Sequence, residues 1–321
     1  MRKVLLLTDG KAGHENQSKA LARGLGCDFE TARISFSSPL AKAASYLLDR
    51  IGVHSLGLYA KTTEGPDPRQ LASRRGEFAA VVATGSGCFY AAKGISERLG
   101  VKCAVVLFPR GYRLSDFGCI LAPSFDRPPK RPNIVELPAN LVPNDADFYA
   151  KGVEAFREHY LGSTGRALAE GVRAEAVVIG GPNKCSTMTP EWMKGELDRI
   201  FADRKGELWV TTSRRTPADV EKVVDSYPWD YRLIYSRDKF NPIPAFVSLA
   251  SRIHVTAEST GMLSEACTCG KAEVAVLDNL KPGGHKFRRF VDGLASGGYT
   301  GGNRKVDLSL QIARARELLG L

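Results

Sequence analysis

One histidine, His14, stands where a chemically active side chain would be useful. It lies in the segment Asp9-Gly-Lys-Ala-Gly-His-Glu-Asn16, which follows a short apolar run and leads into a helical pattern. There it could act as a general base toward an acceptor hydroxyl, or it could cap the helix or fill the turn. The glycines of the segment, Gly13 among them, would let the backbone approach a ligand, and the start of the helix suits a phosphate or carboxylate. The Walker A and G-x-G-x-x-G orders are both absent from this segment, so neither nucleotide fingerprint is indicated.

Two further glycine turns also follow apolar runs. Thr84-Gly-Ser-Gly87 precedes a helical pattern in the first half of the chain, and Gly180-Gly181-Pro-Asn183 ends a run in the second half. Glycines at positions 180 and 181 would permit the backbone to approach a diphosphate closely. Either segment could instead be a plain turn between a strand and a helix.

A turn rich in hydroxyl groups and arginine ends another apolar run. It reads Thr211-Thr-Ser-Arg-Arg-Thr216 and contains Ser213, Arg214 and Arg215, with Pro217 placed for a first helical turn. Arginine is the preferred protein partner of phosphate. We therefore expect one of the two arginines to contact an anionic ligand, although adjacent arginines also occur on solvated faces.

The most specific segment is Thr256-Ala-Glu-Ser-Thr-Gly-Met-Leu-Ser-Glu-Ala266, which lies between a strand pattern and a helix pattern. Ser259, Thr260 and Gly261 would stand at the helix N-terminus and offer hydroxyl and N–H groups to a phosphate. Glu265, further along the helix, could accept hydrogen bonds from two ribose hydroxyls. The alternative is that Ser259 or Thr260 caps the helix and Glu265 is exposed.

Three other features carry weaker signals. Phe246 could stack on a nucleotide base, or it could pack in the core. Asp145-Ala-Asp147 has the D-x-D spacing of metal-dependent sugar transferases, but it lies in a connector, where helix capping is favoured, so we expect no metal requirement. The seven cysteines are scattered along the chain, which argues against a disulfide framework and a zinc site.

The composition limits the class of protein. The chain has 321 residues, 43% of them hydrophobic, which suits two globular domains. No apolar run is long enough to span a membrane and the run Val4–Leu7 is too short for a secretory signal, so we expect a cytoplasmic protein with at most peripheral membrane contact. The net charge of +10 favours anionic partners. No nucleic-acid-binding module is recognisable, so no specific nucleic-acid partner is expected.

Short continuous apolar runs alternate with helical patterns along the chain. Such runs are typical of strands buried on both faces of a parallel sheet, and their alternation with helices indicates an α/β fold. The expected strands are Val4–Thr8, Phe78–Ala83, Cys103–Phe108, Cys119–Ala122, Ala176–Ile179, Leu208–Thr212, Arg232–Tyr235, Ile253–Thr256 and Val274–Leu277. The expected helices are Glu15–Leu25, Cys88–Leu99, Pro190–Asp203, Pro217–Ser226, Thr260–Cys269 and Leu308–Leu319.

The series of strands restarts after a proline-rich connector. This connector runs from Pro123 to Pro143 and is followed by a polar amphipathic stretch, Ala146–Tyr160. We therefore expect one Rossmann-like domain over residues 1–162 and a second over residues 163–321. The last helix could pack on either domain, including back on the N-terminal one.

Several segments together resemble a known family. Asp9–Gln17, Asn241-Pro-Ile-Pro-Ala-Phe246 and Val255–Ala266 are similar to segments of the bacterial relatives of the plant "elongated mitochondria" fission factor, as is Phe287-Arg-Arg-Phe290. The resemblance covers residues 1–292. This family commonly has aspartate where Glu258 stands. More remotely, the segments around His14 and Glu265 look like the paired sites of the cell-wall enzyme that moves N-acetylglucosamine from a UDP donor to a lipid-linked acceptor.

The resemblance implies a fold and a function. The fold would be GT-B-like, with two Rossmann-like domains whose parallel sheets face a central cleft. The C-terminal domain would hold a nucleotide-diphosphate sugar, most readily a UDP-sugar, with the diphosphate at residues 259–261 and the ribose at Glu265. An acceptor from the cell envelope, or a lipid-linked one as in that enzyme, would approach His14, and no cofactor would be needed beyond the donor. The alternative is a non-catalytic adaptor protein on the same scaffold.

Overall fold

A computed structural model describes residues 2–60, 68–71, 73–143, 146–302 and 304–321. The chain divides into two compact units. The first unit comprises Met1–Pro143 and Asp307–Leu321, and the second comprises Asn144–Val306. Asp145, the first aspartate of the D-x-D segment, lies outside the described residues.

The strands and helices alternate as the sequence pattern predicts. The strands are β1 (Lys3–Thr8), β2 (Asp28–Arg33), β3 (Ala80–Thr84), β4 (Lys102–Val106), β5 (Cys119–Pro123), β6 (Ile134–Leu137), β7 (Ala174–Val178), β8 (Glu207–Thr211), β9 (Tyr231–Leu233), β10 (Arg252–Thr256) and β11 (Glu273–Leu277). The helices are α1 (Ala12–Gly24), α2 (Pro39–Arg50), α3 (Pro68–Leu71), α4 (Phe89–Leu99), α5 (Ala146–Thr164), α6 (Pro190–Ala202), α7 (Ala218–Asp225), α8 (Ile243–Leu249), α9 (Thr260–Thr268), α10 (Lys286–Ser296) and α11 (Ser309–Leu319).

The sheet of the first unit is parallel and buried on both faces. Its strand order is β2-β1-β3-β4-β5-β6, and the order therefore reverses between β1 and β3. Successive side chains of β1 point to opposite faces, as the pleat requires. Val4 and Leu6 belong to the core beneath α1 and α11, whereas Leu5 and Leu7 belong to the core beneath α4. This double burial explains why the strand reads as a continuous apolar run.

The sheet of the second unit has the order β11-β10-β7-β8-β9 and is also parallel. Numbered from its own first strand, this is the 3-2-1-4-5 order of Rossmann folds, with the reversal between β7 and β10. Aliphatic side chains of β7 and β8 pack with α6 and α7 on one face. On the other face, α5 and α8 pack together over an aromatic cluster.

The boundary between the units differs from the expected one. We expected it near residue 162, but the division falls after Pro143, so α5 belongs to the second unit. The reason is packing, because Phe156 of α5 is wholly buried against Trp209, Tyr231 and Phe246. The last helix, α11, returns to the first unit, where it lies against β4, β5 and β6.

A cluster of buried charges lies beneath α2 and α4 in the first unit. The Lys93 ammonium is 0% exposed and donates to Asp49 Oδ1 at 2.6 Å, to the carbonyl of Arg113 at 2.8 Å and to Asp116 Oδ2 at 3.4 Å. His54 Nε2 lies 3.1 Å from Asp49 Oδ1. Asp49, His54 and Asp116 are donor types that a metal could use. Here the positive charge that compensates the Asp49 and Asp116 carboxylates is the ammonium group of Lys93.

The expected class of fold is confirmed, since each unit is a Rossmann-like parallel sheet flanked by helices. Among the described residues, no helix is both long enough and apolar enough to cross a bilayer.

Candidate functional site

Three of the predicted site segments meet at one edge of the second sheet. They follow β7, β8 and β10, which are neighbours in the sheet, so parallel pairing brings their carboxyl ends together. The turns after β7 and β10 flank the point where the strand order reverses. In open α/β sheets this is the place where ligands bind.

Glu258 ties these turns together. Its Oε1 atom accepts hydrogen bonds from Gly181 N at 2.8 Å, Thr256 Oγ1 at 3.0 Å and Ser259 Oγ at 3.1 Å. The residue is only 2% exposed. Its second oxygen, Oε2, is buried and has no hydrogen-bond partner among the described residues. In the sequence, the family resemblance marks this position only as a departure from aspartate.

Gly180 and Gly181 are glycines because of protein packing. A Cβ atom at Gly180 would collide with Ser259 Oγ and Glu258 Oε1, and one at Gly181 would collide with the backbone carbonyl of Arg215. We had expected these glycines to make room for a diphosphate. The space is instead taken by the neighbouring turns, so the two residues shape the site from behind.

Gly181→Ala should therefore destabilise the second unit. Overpacking against a backbone carbonyl typically costs about 1–3 kcal/mol. Gly261→Ala is the matched control, because a Cβ there meets nothing within 4 Å and the residue lies in a helix. Urea unfolding followed by tryptophan fluorescence measures both, since all three tryptophans lie in this unit. Equal stability of the two variants would contradict the packing explanation.

The turn after β8 presents two arginines. Arg214 and Arg215 are exposed, and the structure shows no ion pair to either guanidinium within its described ranges. The hydroxyl of Ser213 faces the turn itself, 3.2 Å from Thr216 Oγ1, which in turn donates to the carbonyl of Gly180 at 2.6 Å. The two arginines are thus available to bind an anion, whereas the Ser213 hydroxyl is used in a hydrogen bond within the turn.

Two contiguous depressions lie at this edge. The first, of about 280 Å³, is lined by Tyr235, Phe240 and Ile243 together with both arginines. The second, of about 420 Å³, is lined by Glu258, Ser259, Thr260, Gly261, Asn183 and Phe287. Arg215 and Met262 line both, so the two depressions adjoin.

The start of α9 forms the floor of the second depression. A helix that begins at Thr260 leaves N–H groups of its first turn without helical partners. Gly261 is exposed at this point, and Thr260 is partly exposed. Ser259 is 4% exposed and its hydroxyl donates to Glu258, so the hydroxyl is directed into the protein. At the start of α9 the backbone N–H groups, rather than the Ser259 hydroxyl, are therefore available to an anion, beside Arg215.

Glu265 lies one turn further along α9 and is partly buried. Its Oε1 atom accepts a hydrogen bond from the hydroxyl of Tyr149, on α5, at 3.1 Å. Burial raises the pKa of Glu265, and the hydrogen bond from Tyr149 opposes that rise. Tyr149 was not recognised in the sequence, because only the packing of α5 on this unit brings it here. The ribose contact of Glu265 stays a prediction.

Phe246 is not available to a nucleotide. It is 0% exposed and packs against Phe156, Trp209 and Tyr231. The expectation that it stacks on a base is wrong, because the inner face of α8 carries it into the core. Tyr235 and Phe240, which the sequence reading passed over, line the first depression instead.

The first unit places His14 at its own reversal point, between β1 and β3. His14 Nδ1 lies 3.0 Å from Asp9 Oδ1 and 3.1 Å from Asp9 Oδ2. Although burial works against it, hydrogen bonds from Lys11 and His14 and the charge of His14 hold the pKa of Asp9 below its usual value. An ionised carboxylate beside Nδ1 favours the tautomer in which Nε2 is free to accept a proton. The Asp9–His14 pair thus has the geometry of an oriented general base.

The glycine turn after β3 lies beside this pair, as expected. Gly85 has a φ of 88°, and a Cβ there would collide with the His14 ring. Gly13 is exposed within the first turn of α1 and nothing lies within 4 Å of its Cβ position, so its approach to a ligand stays a prediction. The positive φ of 81° that turns the chain falls at Gly10.

The two parallel sheets, each with candidate residues at its reversal point, define a GT-B-like α/β protein. The chain belongs to the family described as Mitochondrial fission ELM1, whose model matches residues 12–307. A curated relative, the protein RP120 of Rickettsia prowazekii, is 30% identical over 103 residues. That match covers 30% of this chain and 29% of the relative.

Solved structures resemble this fold over the full chain. A UDP-GlcNAc 2-epimerase from Methanocaldococcus jannaschii matches with a TM-score of 0.53 and 12% identity, covering 99% of this chain and 98% of its own. The UDP-GlcNAc 2-epimerase from Neisseria meningitidis, bound to UDP-GlcNAc, matches with a TM-score of 0.50 and 11% identity, over 100% and 98%. MurG from Acinetobacter baumannii matches with a TM-score of 0.47 and 12% identity, over 100% and 92%. At such identities the likeness to the two epimerases establishes a shared fold and leaves the reaction open.

Proposed function

We propose that this protein is a glycosyltransferase that takes a sugar from a nucleotide-diphosphate donor, with a UDP-sugar as the first candidate. The observation that carries the proposal is the pair of adjoining depressions at the carboxyl edge of the second sheet, of which the second lies at the β7–β10 reversal point. One has aromatic and apolar walls, which suit a base, and the next combines the start of α9 with Arg215, which suits a diphosphate. The epimerase structure with bound UDP-GlcNAc is consistent with such a ligand on this fold.

Each part of the donor has a proposed contact. The base would lie against Tyr235 and Phe240, and the diphosphate against Arg215 and the N–H group of Gly261. Glu265 is absent from the lining of both depressions and lies behind the start of α9, with its Oε1 atom held by Tyr149. Its contact with the ribose hydroxyls therefore requires that the bound donor reach its other carboxylate oxygen. The arginines and the helix start would also stabilise the charge that develops on the leaving diphosphate, so the proposed reaction has no metal requirement.

The Asp9–His14 pair is the proposed acceptor-side base. His14 Nε2 would take the proton of the acceptor hydroxyl as that oxygen attacks the anomeric carbon of the sugar. Lys11 Nζ forms an ion pair with Asp9 Oδ2 at 3.0 Å, so its positive charge stabilises the ionised Asp9 carboxylate.

A ligand screen tests the donor site. Wild type and Glu265→Ala are heated with UDP, GDP, CMP, TDP and UDP-sugars, because a ligand that binds only the folded state raises its stability. At a hundredfold excess over Kd the gain is about 2.7 kcal/mol. We expect one nucleotide to stabilise wild type and to lose that effect in the variant. If none of them stabilises wild type, the adaptor function becomes the better proposal.

The products formed from the donor then identify the type of reaction. Proton NMR of the donor with the purified protein distinguishes transfer or hydrolysis, which release the nucleoside diphosphate, from inversion at C2, which does not. Inversion at C2 would place the chain with the epimerases that share its fold and would contradict the transferase proposal.

We also propose that the acceptor is lipid-linked. The support comes from α2, whose Lys42 reaches Ser86 in the turn beside His14 at 3.0 Å. On this helix and at its end, Leu47 is 65% and Ile51 72% exposed, next to the exposed Arg50. Apolar side chains beside a positive charge suit an anionic bilayer surface.

Vesicle flotation tests this surface. Wild type should float with vesicles containing phosphatidylglycerol and not with pure phosphatidylcholine, and Leu47→Asn/Ile51→Asn should lose the effect. Leu310→Asn is the matched control, because Leu310 is 83% exposed on α11. Flotation that survives the double substitution would contradict the assignment of α2 as the lipid contact.

A further inference from the structure

The two carboxylate oxygens of Glu258 differ in their hydrogen bonding. Oε1 accepts hydrogen bonds from Gly181, Thr256 and Ser259, whereas Oε2 is buried and accepts none from the described residues. A buried acceptor without a partner is costly, and native proteins seldom keep one without a reason. Glu258 also lines the second depression, so its carboxylate lies in the wall of the space that a ligand would occupy.

The surroundings narrow the class of ligand group that Oε2 could bind. A phosphate oxygen would be repelled by a carboxylate. A protein-held metal is not indicated, because the one group of three or more metal-type donors among the described residues is Asp49, His54 and Asp116 in the other unit. A neutral hydroxyl supplies a proton to the carboxylate and adds no charge.

We propose that Glu258 Oε2 accepts a hydrogen bond from a sugar hydroxyl of the donor, and thereby makes the site prefer a nucleotide sugar over the free nucleoside diphosphate. This inference rests on the proposed function. It divides the second depression into an anion-binding side, formed by Arg215 and the start of α9, and a hydroxyl-binding side, formed by Glu258.

The preference has a physical origin in both ligands. The Glu258 carboxylate weakens the binding of a free nucleoside diphosphate by like-charge repulsion. When the nucleotide sugar binds, the hydrogen bond from its sugar hydroxyl to Oε2 offsets that loss of affinity. A hydrogen bond to a charged group in a desolvated site corresponds to roughly 10–100-fold in affinity. Product release would benefit from the same arrangement, because the diphosphate left after transfer is the more weakly held ligand.

The test is a cycle of variants and ligands. Glu258→Gln keeps an oxygen for the three donors at Oε1 and puts an uncharged NH₂ in place of Oε2. Glu221→Gln is the control, because Glu221 is a buried glutamate of the same unit that lines neither depression. Calorimetric titration compares UDP, UDP-GlcNAc and its 3-, 4- and 6-deoxy analogues, each with EDTA and with Mg²⁺.

One deoxy analogue should bind wild type and Glu221→Gln roughly 10–100-fold more weakly than UDP-GlcNAc. In Glu258→Gln this difference should be much smaller, because the amide can make only a neutral hydrogen bond to the sugar hydroxyl. UDP itself should bind Glu258→Gln at least as tightly as wild type. If Glu258→Gln does not fold, Glu258→Asp, with its shorter carboxylate, should reduce the same discrimination.

Three results would overturn the proposal. Every deoxy analogue could have the same effect in wild type and in the Glu258 variant, which would leave Glu258 without a sugar contact. Mg²⁺ could strengthen binding only when the carboxylate is present, which would make Oε2 a metal ligand. UDP could bind while UDP-GlcNAc does not, which would leave the proposed nucleotide site standing without this preference, whereas binding of neither would remove both.

Discussion

Replacing His14 with alanine should lower the turnover of sugar transfer by roughly 10²–10⁴-fold, the range that a positioned general base contributes. Asp9 lies 3.0 Å from Nδ1 and has a lowered pKa, so it is ionised at neutral pH and holds the ring with Nε2 available. The loss should fall on kcat, because His14 would act on the acceptor proton in the transition state. Nucleotide binding should be unchanged, since the proposed donor contacts are all in the other unit.

The measurement is a progress curve of donor consumption with the nucleotide and acceptor that the screens identify. Asp9→Asn should lose part of the same activity, because an amide cannot stabilise the imidazolium as a carboxylate does. Gly13→Ala is the control, as its Cβ position is open and one residue from His14. Full activity in His14→Ala would move the base elsewhere, and partner binding that survives both His14→Ala and Glu265→Ala would favour an adaptor.

Replacing Lys93 with methionine should destabilise the first unit by about 3–5 kcal/mol, the usual cost of removing one partner from a buried ion pair. Lys93 is the cation between Asp49 and Asp116, and methionine leaves their charges uncompensated. Although burial works against it, hydrogen bonds from His54 and Lys93 help to hold the pKa of Asp49 below its usual value. A lowered folded pKa gives stability that is present above the unfolded pKa and is lost as the pH falls through the folded pKa. In Lys93→Met the free energy of unfolding should therefore fall less than in wild type as the pH is lowered.

Two probes separate the units in the same urea titration. Tryptophan fluorescence reports only the second unit, whereas far-UV circular dichroism reports both. Lys93→Met should move the part of the dichroism transition that comes from the first unit to a lower urea concentration. The fluorescence transition should stay where it is in wild type. Lys151→Met, which removes a lysine that is 77% exposed, should change stability by less than about 0.5 kcal/mol. An unchanged dichroism transition in Lys93→Met would show that the buried lysine is not needed by its carboxylates.

The buried strands could be read from the sequence because their environment is uniform. β1, β3 and β5 are covered on both faces, so their central residues are apolar and the run is continuous. β2 and β6 were not recognised. They are the edges of the sheet, where one side is open and polar residues are tolerated, as in Asp28–Arg33. The domain boundary was misplaced because the sequence of α5 does not state which unit its apolar face covers.

The candidate site was predictable in part for a similar reason. Segments that follow parallel strands must meet at one edge, so the turns at Gly180, Arg215 and Ser259 were brought together as expected. Their individual roles depend on directions that spacing does not set. The hydroxyl of Ser259 turns inward and the glycines fill contacts with protein atoms, whereas Glu258 and Tyr149 become part of the site.

The sequence by itself determined the α/β class, the parallel sheets, the turns at their carboxyl ends and the position of His14 after β1. These follow from local rules, since hydrophobic period, glycine turns and chain direction act over a few residues. The tertiary structure alone decided that Phe246 is core, that Asp9 orients His14 and that Lys93 lies among carboxylates. It also decided that one oxygen of Glu258 has no hydrogen-bond partner within the part of the chain that the structure describes. Each of these depends on which atoms distant strands and helices bring within hydrogen-bonding or packing distance, and that information is spread over the whole chain.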